Sequence, residues 1–273
     1  MSLSRTQAQD LLTRHGLHPK RKLGQNFVVD HNTLTRIVRL AGVGPTSKVL
    51  EIGAGLGALT EELAAAGASV TALEIDPELS SVLHDRPELT GVRIVEGDAL
   101  QVDLGSLCPP DAEPWTVVAN LPYNVATPVV LRILEQAPQI THLLVMVQLE
   151  VAERLAAHPG DSAYGGVSVR VAYHGRAKVV GKVPPTVFLP QPTIDSGLVV
   201  IDRREAPAVD PEDATESEIF VLVKQAFSQR RKMLRRSLAG LVETEAFEAA
   251  GIDPTARPEE LSVEDFGRLA AAR

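Results

Sequence analysis

Residues 48–66 read KVLEIGAGLGALTEELAAA, and the reading of this stretch decides the fold. Residues 48–52 have the apolar character of a buried strand and end on glycines. Residues 59–66 then repeat at helical spacing, with Leu59, Leu63 and Ala66 on one face. The alternation continues outward. Strands are expected at 69–75, 92–95, 115–119 and 141–147, and a helix with proline in its first turn at 77–83. Short strands separated by helices predict βαβ units and an α/β, doubly wound parallel sheet.

Glycines directly after a first strand let a ligand approach the backbone closely, and the following helix offers free N–H groups. The pattern admits two ligands. Gly53-x-Gly55-x-x-Ala58 fits the dinucleotide fingerprint, whereas Gly53-x-Gly55-x-Gly57 fits the glycine loop of S-adenosylmethionine enzymes. Glu74 closes the second strand 21 residues after Gly53, where an acid can accept hydrogen bonds from ribose hydroxyls. Asp98 closes the third strand, where a carboxylate can accept from an adenine amino group. Either acid also reads as a helix cap. Their joint placement at successive carboxyl ends of a parallel sheet favours one shared ligand.

The segment Asn120-Leu121-Pro122-Tyr123-Asn124 follows the fourth strand, at the same sheet edge as the glycines. The exocyclic nitrogen of adenine is a weak nucleophile because its lone pair is delocalised into the ring. An acceptor side chain and a backbone carbonyl can grip its two N–H groups and draw it toward sp³ geometry. Asn120 Oδ1 supplies the first acceptor, and the carbonyl of Leu121 or Pro122 the second. Pro122 holds the backbone in one shape, and Tyr123 offers a flat face for a flipped base. The methyl donor is a sulfonium whose charge vanishes on transfer, so position and charge complementarity do most of the work.

The net charge is −8 and the pI near 5.4, which at first sight disfavours a nucleic-acid partner. The cations are clustered, however. Lys20, Arg21 and Lys22 lie together near the N-terminus, and Arg230, Arg231, Lys232 and Arg235 form a second group. Two such clusters in an acidic chain are read as RNA-phosphate contacts. Cys108 is the only cysteine and the histidines are scattered, so no metal site is expected. No apolar run approaches the roughly 20 residues of a membrane helix, and the start lacks a signal-peptide core. A cytoplasmic location is expected.

Beyond the sheet, residues 167–173 and 177–183 are β-rich, 198–201 is a further strand, and proline-rich 184–192 reads as loop. The acidic stretch from 204 to about 217 reads as a linker. Val223, Phe227, Leu234 and Leu238 then share one helical face, and Ser262 with Asp265 marks a final helix N-terminus. A domain over 1–203 and a small helical, RNA-contacting domain over 204–273 follow.

These motifs together resemble the small-subunit (16S) rRNA adenine dimethyltransferase family. The likeness runs through residues 23–27 (LGQNF), 51–60, 73–76 (LEID), 97–99 (GDA), 120–124 with Thr127-Pro128, 148–154, Tyr164-Gly165, 188–196 and 226–232. It implies a Rossmann-like methyltransferase sheet and an S-adenosylmethionine site formed by Asn26, Val28, Gly53, Gly55, Glu74, Ile75, Asp98, Ala99 and Asn120. The catalytic loop is Asn120, Leu121, Pro122 and Tyr123. Also implied is transfer of two methyl groups to each of two adjacent adenines in the 3′-terminal hairpin loop of 16S rRNA, in an immature small ribosomal subunit. A monomer without metal is expected. Val28 stands where Leu is common, and Ala126 where Ser is common. Tyr164 and Phe188 stay open between loop packing and RNA contact. Three rivals are a 23S rRNA methylase of the macrolide-resistance type, an assembly factor with methylation secondary, and a nicotinamide dehydrogenase. The last gives Asn120–Tyr123 no role.

Overall fold

Adjacent residues along the middle strands, such as Val49 with Leu50 and Val117 with Val118, are all fully buried. A strand covered by helices on both faces requires this, and it explains the continuous apolar runs. The computed structural model describes residues 3–110 and 113–273. Its strands are β1 (Phe27–Val28), β2 (Lys48–Ile52), β3 (Ser69–Glu74), β4 (Arg93–Glu96), β5 (Trp115–Asn120), β6 (Ile140–Gln148), β7 (Gly175–Val183), β8 (Phe188–Leu189) and β9 (Ser196–Arg203). The helices begin with α1 (Arg5–Arg14), α2 (His31–Leu40), α3 (Ala58–Ala65), α4 (Pro77–His84), α5 (Leu104–Leu107) and α6 (Ala126–Gln136). They continue with α7 (Leu149–Leu155), α8 (Gly166–His174), α9 (Glu216–Ser228), α10 (Leu234–Ser237), α11 (Thr244–Ala250) and α12 (Val263–Ala271).

The main sheet has the order β4-β3-β2-β5-β6-β9-β7. Strands β4, β3, β2, β5 and β6 pair in parallel, and β9 is antiparallel to β6. The chain winds one way from β2 to β4 and the other way from β5 to β6. The direction of winding therefore reverses between β2 and β5, and their carboxyl ends open the crevice where such sheets bind ligands. The expected α/β doubly wound sheet is present.

The chain forms two compact units. One runs to Ala152 and resumes over Val179–Asp202; the other comprises Glu153–Lys178 and Arg203–Arg273. The sequence places its single division at 203/204, and the contacts add Glu153–Lys178 to the C-terminal unit. In the first unit, Leu34 and Ile37 of α2 and Leu59 and Leu63 of α3 pack with Val49, Val118 and Leu144. Helix α1 buries Ala8, Leu11 and Leu12 against Phe27, Leu56 and Leu79. Its Ser4 and Gln7 form a capping box.

Three local expectations are corrected. Residues 167–173, read as a strand, form helix α8. Val169 and Tyr173 join Ile219, Leu222 and Val223 in the second unit's core, and this burial overrides the β propensity of three valines. Val223, Phe227, Leu234 and Leu238 do not lie on one continuous helix. The chain breaks after α9, because the N–H groups of Leu234 and Arg235 go to the carbonyls of Ala256 (2.9 Å) and Pro254 (3.0 Å). Finally, the proline-rich loop contains β8, which pairs with β1 in the register Phe27↔Leu189 and Val28↔Phe188. The final helix begins as expected, with Ser262 and Asp265 in a reciprocal capping box.

Candidate active site

The carboxyl end of β2 turns through Gly53, Gly55 and Gly57, all with positive φ, into α3. Glu74, at the end of β3, is almost fully buried and grips this turn. Its Oε2 accepts from Gly55 N–H (2.7 Å) and its Oε1 from Asp76 N–H (2.9 Å). Burial holds the Glu74 carboxyl above its usual range, against these bonds. From the other side, the buried Arg86 guanidinium donates to Leu56 carbonyl (2.7 Å) and to Glu61 of α3 (2.5 Å).

Asp98 follows β4. Its Oδ1 accepts from Leu100 N–H and its Oδ2 from Gln101 Nε2, both at 2.9 Å. Arg132 of α6 clamps the same loop, donating to Ala99 carbonyl (2.7 Å) and Val102 carbonyl (2.8 Å). Asp98, Ala99, Ile75 and Gly53 line one cavity of about 240 Å³, which also touches Leu121 and Pro122. A neighbouring cavity is lined by Asn26, Val28, Gly53, Gly55, Glu74, Ile75 and Asn120. All nine residues expected at the donor site thus line one or other of two hollows that share Leu23, Gly53, Ile75, Leu121 and Pro122.

Asn120 ends β5. Leu121 N–H bonds Met146 carbonyl (3.0 Å) on the neighbouring strand, and Val125 N–H bonds Pro122 carbonyl (3.1 Å), closing the turn. Asn120 Nδ2 donates to Asn26 carbonyl at 2.8 Å. A carbonyl accepts only a donor, so the amide's nitrogen must face Asn26, leaving Oδ1 as the opposite end. The half-buried Tyr123 hydroxyl lies 3.0 Å from the hydroxyl of fully buried Ser196, which fixes the edge from which its ring projects.

Four contributors escape the sequence reading. Arg86, Arg132 and Ser196 act through partners 25 or more residues away. Glu51 had a local signal: a carboxylate inside an apolar strand. It is buried, lines the same cavity as Glu74, and its Oε2 has no hydrogen-bond partner among the described residues. Burial, with the Glu74 charge adding, pushes its carboxyl up to about 8. The neighbouring Thr60 hydroxyl opposes the shift without forming a hydrogen bond of good geometry, and Thr60 Oγ1 likewise has no partner among the described residues. An unsatisfied carboxyl in a polar-edged hollow suits a ligand that brings its own donor.

The cationic residues differ in availability. Lys20 pairs with Asp76 (2.8 Å) and with Glu78. Burial would raise the Asp76 carboxyl, but bonds from Lys20 and Gln25 outweigh it and hold it below its ordinary value. Arg230 donates to Ser162 carbonyl (3.0 Å) and faces Glu259 (3.6 Å). Arg21, Lys22, Arg231, Lys232 and Arg235 are exposed. Tyr164 and Phe188 resolve to packing. Tyr164 donates from its buried hydroxyl to Leu261 carbonyl (2.8 Å), and Phe188 is fully buried.

A glycine turn, two strand-end acids and an Asn-Leu-Pro-Tyr loop around the switch point of a doubly wound sheet define a methyltransferase of the adenosyl-donor class. The family model described as ribosomal RNA adenine dimethylase matches residues 16–272. The chain belongs to that family. It is 48% identical to "Ribosomal RNA small subunit methyltransferase A" of Kineococcus radiotolerans, over 99% of this chain and 91% of that one. It is 45% identical to the protein of the same name from Thermobifida fusca, over 96% and 93%. Among solved structures, a dimethyladenosine transferase from Plasmodium falciparum superposes with TM-score 0.75 at 24% identity, covering 89% of this chain and 95% of that one. The 23S rRNA methyltransferase ErmE superposes with TM-score 0.70 at 27% identity, covering 90% and 98%.

Proposed function

We propose that this enzyme uses S-adenosylmethionine to dimethylate the exocyclic amino groups of two adjacent adenines in the 3′-terminal hairpin loop of 16S rRNA. It acts as a cytoplasmic monomer on an immature small ribosomal subunit, without a metal ion. The observation that carries the reading is the Asn120 amide, turned by Asn26 carbonyl so that Oδ1 is the end left to accept from a substrate. Glu74, Asp98, Ile75, Ala99, Gly53, Gly55, Asn26 and Val28 would hold the donor, and Glu51 is an added candidate for its cationic end. When bound, S-adenosylmethionine supplies an electrophilic methyl group on a sulfonium.

The chain's own residues act on the nucleophile. Asn120 Oδ1 accepts one N–H of the adenine amine. The second acceptor is the carbonyl of Leu121 or Pro122, and Leu121 is favoured because Pro122 carbonyl already accepts from Val125 N–H (3.1 Å). Two acceptors localise the nitrogen lone pair away from the ring. Tyr123, held through Ser196, presents its ring to the flipped base, and the turn at Pro122 keeps these groups in register. Arg21, Lys22, Arg231, Lys232 and Arg235 contact phosphates.

The names of the relatives at 45–48% identity support the small subunit as substrate over the large one. Small subunits purified from a strain lacking the modification, incubated with the protein and labelled donor, should take up label in two adjacent adenines. Primer extension should stop there. Label in 23S rRNA alone, or none with Asn120→Ala and wild type alike, overturns the reading.

A further inference from the structure

Lys20 sits in a cluster whose charge reads as phosphate-binding, yet its ammonium is turned inward. It bonds Asp76 Oδ1 (2.8 Å) and Glu78, and its side chain is 33% exposed. Gln25 closes the same arrangement: its Oε1 accepts from Lys20 N–H (2.7 Å) and its Nε2 donates to Asp76 Oδ2 (2.8 Å). Residues 20 and 25 are thus tied to the two oxygens of one carboxylate. Asp76 is almost wholly buried, caps α4, and gives its own N–H to Glu74 Oε1.

Between these ties, residues 21–23 make one 3₁₀ turn, and Gly24 sits against the Pro122 ring in a left-handed conformation. Asn26, directly after Gln25, offers the carbonyl that orients the Asn120 amide. An unbroken path of bonds therefore leads from Glu74 through Asp76 and Gln25 to Asn120. Exposed ion pairs contribute little on their own. A buried carboxylate with two charge-assisted donors is different, because losing either donor leaves part of a desolvated charge unmet.

We infer that Lys20 and Gln25 are positioning residues that hold residues 20–26 as a strap along the donor hollow, and that Lys20 does not contact RNA phosphate. The inference rests on the donor reading of that hollow. It accounts for a lysine whose ammonium is held by two carboxylates within a basic cluster, and it links donor binding to the setting of Asn120.

The test uses the full chain with Gln25→Met, Lys20→Met and Lys20→Arg. S-adenosylmethionine affinity is measured by calorimetry without RNA, small-subunit affinity across a salt series, and methyl transfer in a single turnover. Thermal melts check folding. Gln25→Met should weaken the donor and slow transfer roughly ten-fold each, the scale of one lost charge-assisted bond. Lys20→Met should move both in the same direction by a few-fold, and Lys20→Arg should restore them. Small-subunit affinity and its salt slope should stay at wild-type values. The strap is overturned if Lys20→Met lowers the salt slope by about 1, as loss of a phosphate contact does. It is equally overturned if both methionine variants bind donor like wild type. Failure of the wild-type protein to bind S-adenosylmethionine would instead sink the donor reading itself, and the strap's proposed role with it.

Discussion

Gly57→Ala tests how the donor turn is built. Gly57 has φ +79°, and a Cβ placed there would lie 2.7 Å from Leu83 Cδ2, 2.9 Å from Leu89 Cδ1 and 3.0 Å from Arg86 Nη1. Two costs follow. An alanine in left-handed conformation loses about 1–2 kcal/mol. Forcing a methyl into this packed corner loses about 1–3 kcal/mol more. The stiffer unfolded chain returns roughly 0.4–1 kcal/mol. The net is about 3 kcal/mol, a fall in Tm of roughly 6–12 °C for a unit of this size. Gly53→Ala is the internal control. Its φ is +78°, but its nearest neighbours would be Asn120 carbonyl oxygen at 3.6 Å and Pro122 Cδ at 3.8 Å, ordinary contacts. Only the backbone cost applies there, about 1 kcal/mol. That methyl would instead intrude on the hollow beside Asn120, so Gly53→Ala should harm donor affinity more than stability, and Gly57→Ala the reverse. Trp115, the sole tryptophan and buried on β5, reports unfolding in urea; calorimetry reports donor binding. The packing argument is refuted if Gly57→Ala unfolds within about 1 kcal/mol of wild type, a margin the backbone cost could fill without any packing clash. It is also refuted if Gly53→Ala is the less stable of the two.

Asn120→Asp keeps an acceptor but cannot donate to Asn26 carbonyl, which lies 2.8 Å from Nδ2. Single-turnover methyl transfer should fall roughly a hundred-fold, the scale of one lost preorganised contact. Arg132→Met should weaken donor affinity about ten-fold by releasing the carbonyls of Ala99 and Val102, with Arg132→Lys only partly restoring it, since one ammonium does not reproduce the guanidinium fork. Isothermal titration checks both. The Glu51 carboxyl, at about 8 in the fold against 4.5 ordinarily, binds its proton more tightly when folded. Its contribution to stability is therefore full below pH 4.5 and is lost as pH rises through 8. Wild-type stability should drop by about 1.4 kcal/mol per pH unit between pH 6 and 8 from this group. Glu51→Gln should lack that slope; parallel urea-denaturation curves for the two proteins would exclude it.

The strand–glycine–helix stretch, the acids at 74 and 98 and the loop at 120 could be read from the chain because each is a local signal. Periodicity of two or 3.6, glycine at a turn, and a carboxylate ending a strand all reside within a few neighbouring residues. The Ser262 cap was legible for the same reason. Residues 167–173 were not: three valines favour a strand, and only burial against α9, some 50 residues away, makes them helical. Likewise, nothing within 223–238 announces a break, since the competing carbonyls belong to Pro254 and Ala256.

At the site itself the sequence determined which chemistry is present: an amide to accept from an amine, a rigid proline, an aromatic face, and acids for a polar donor. The tertiary structure decided how each group is turned. Asn26 carbonyl selects which end of the Asn120 amide remains, Arg132 and Arg86 hold the two donor loops by their carbonyls, and Asp76 draws Lys20 inward from what reads as a phosphate-binding cluster. These are hydrogen bonds between residues 30 to 94 positions apart, and a directional bond of that kind exists only once the fold has brought its donor and acceptor together.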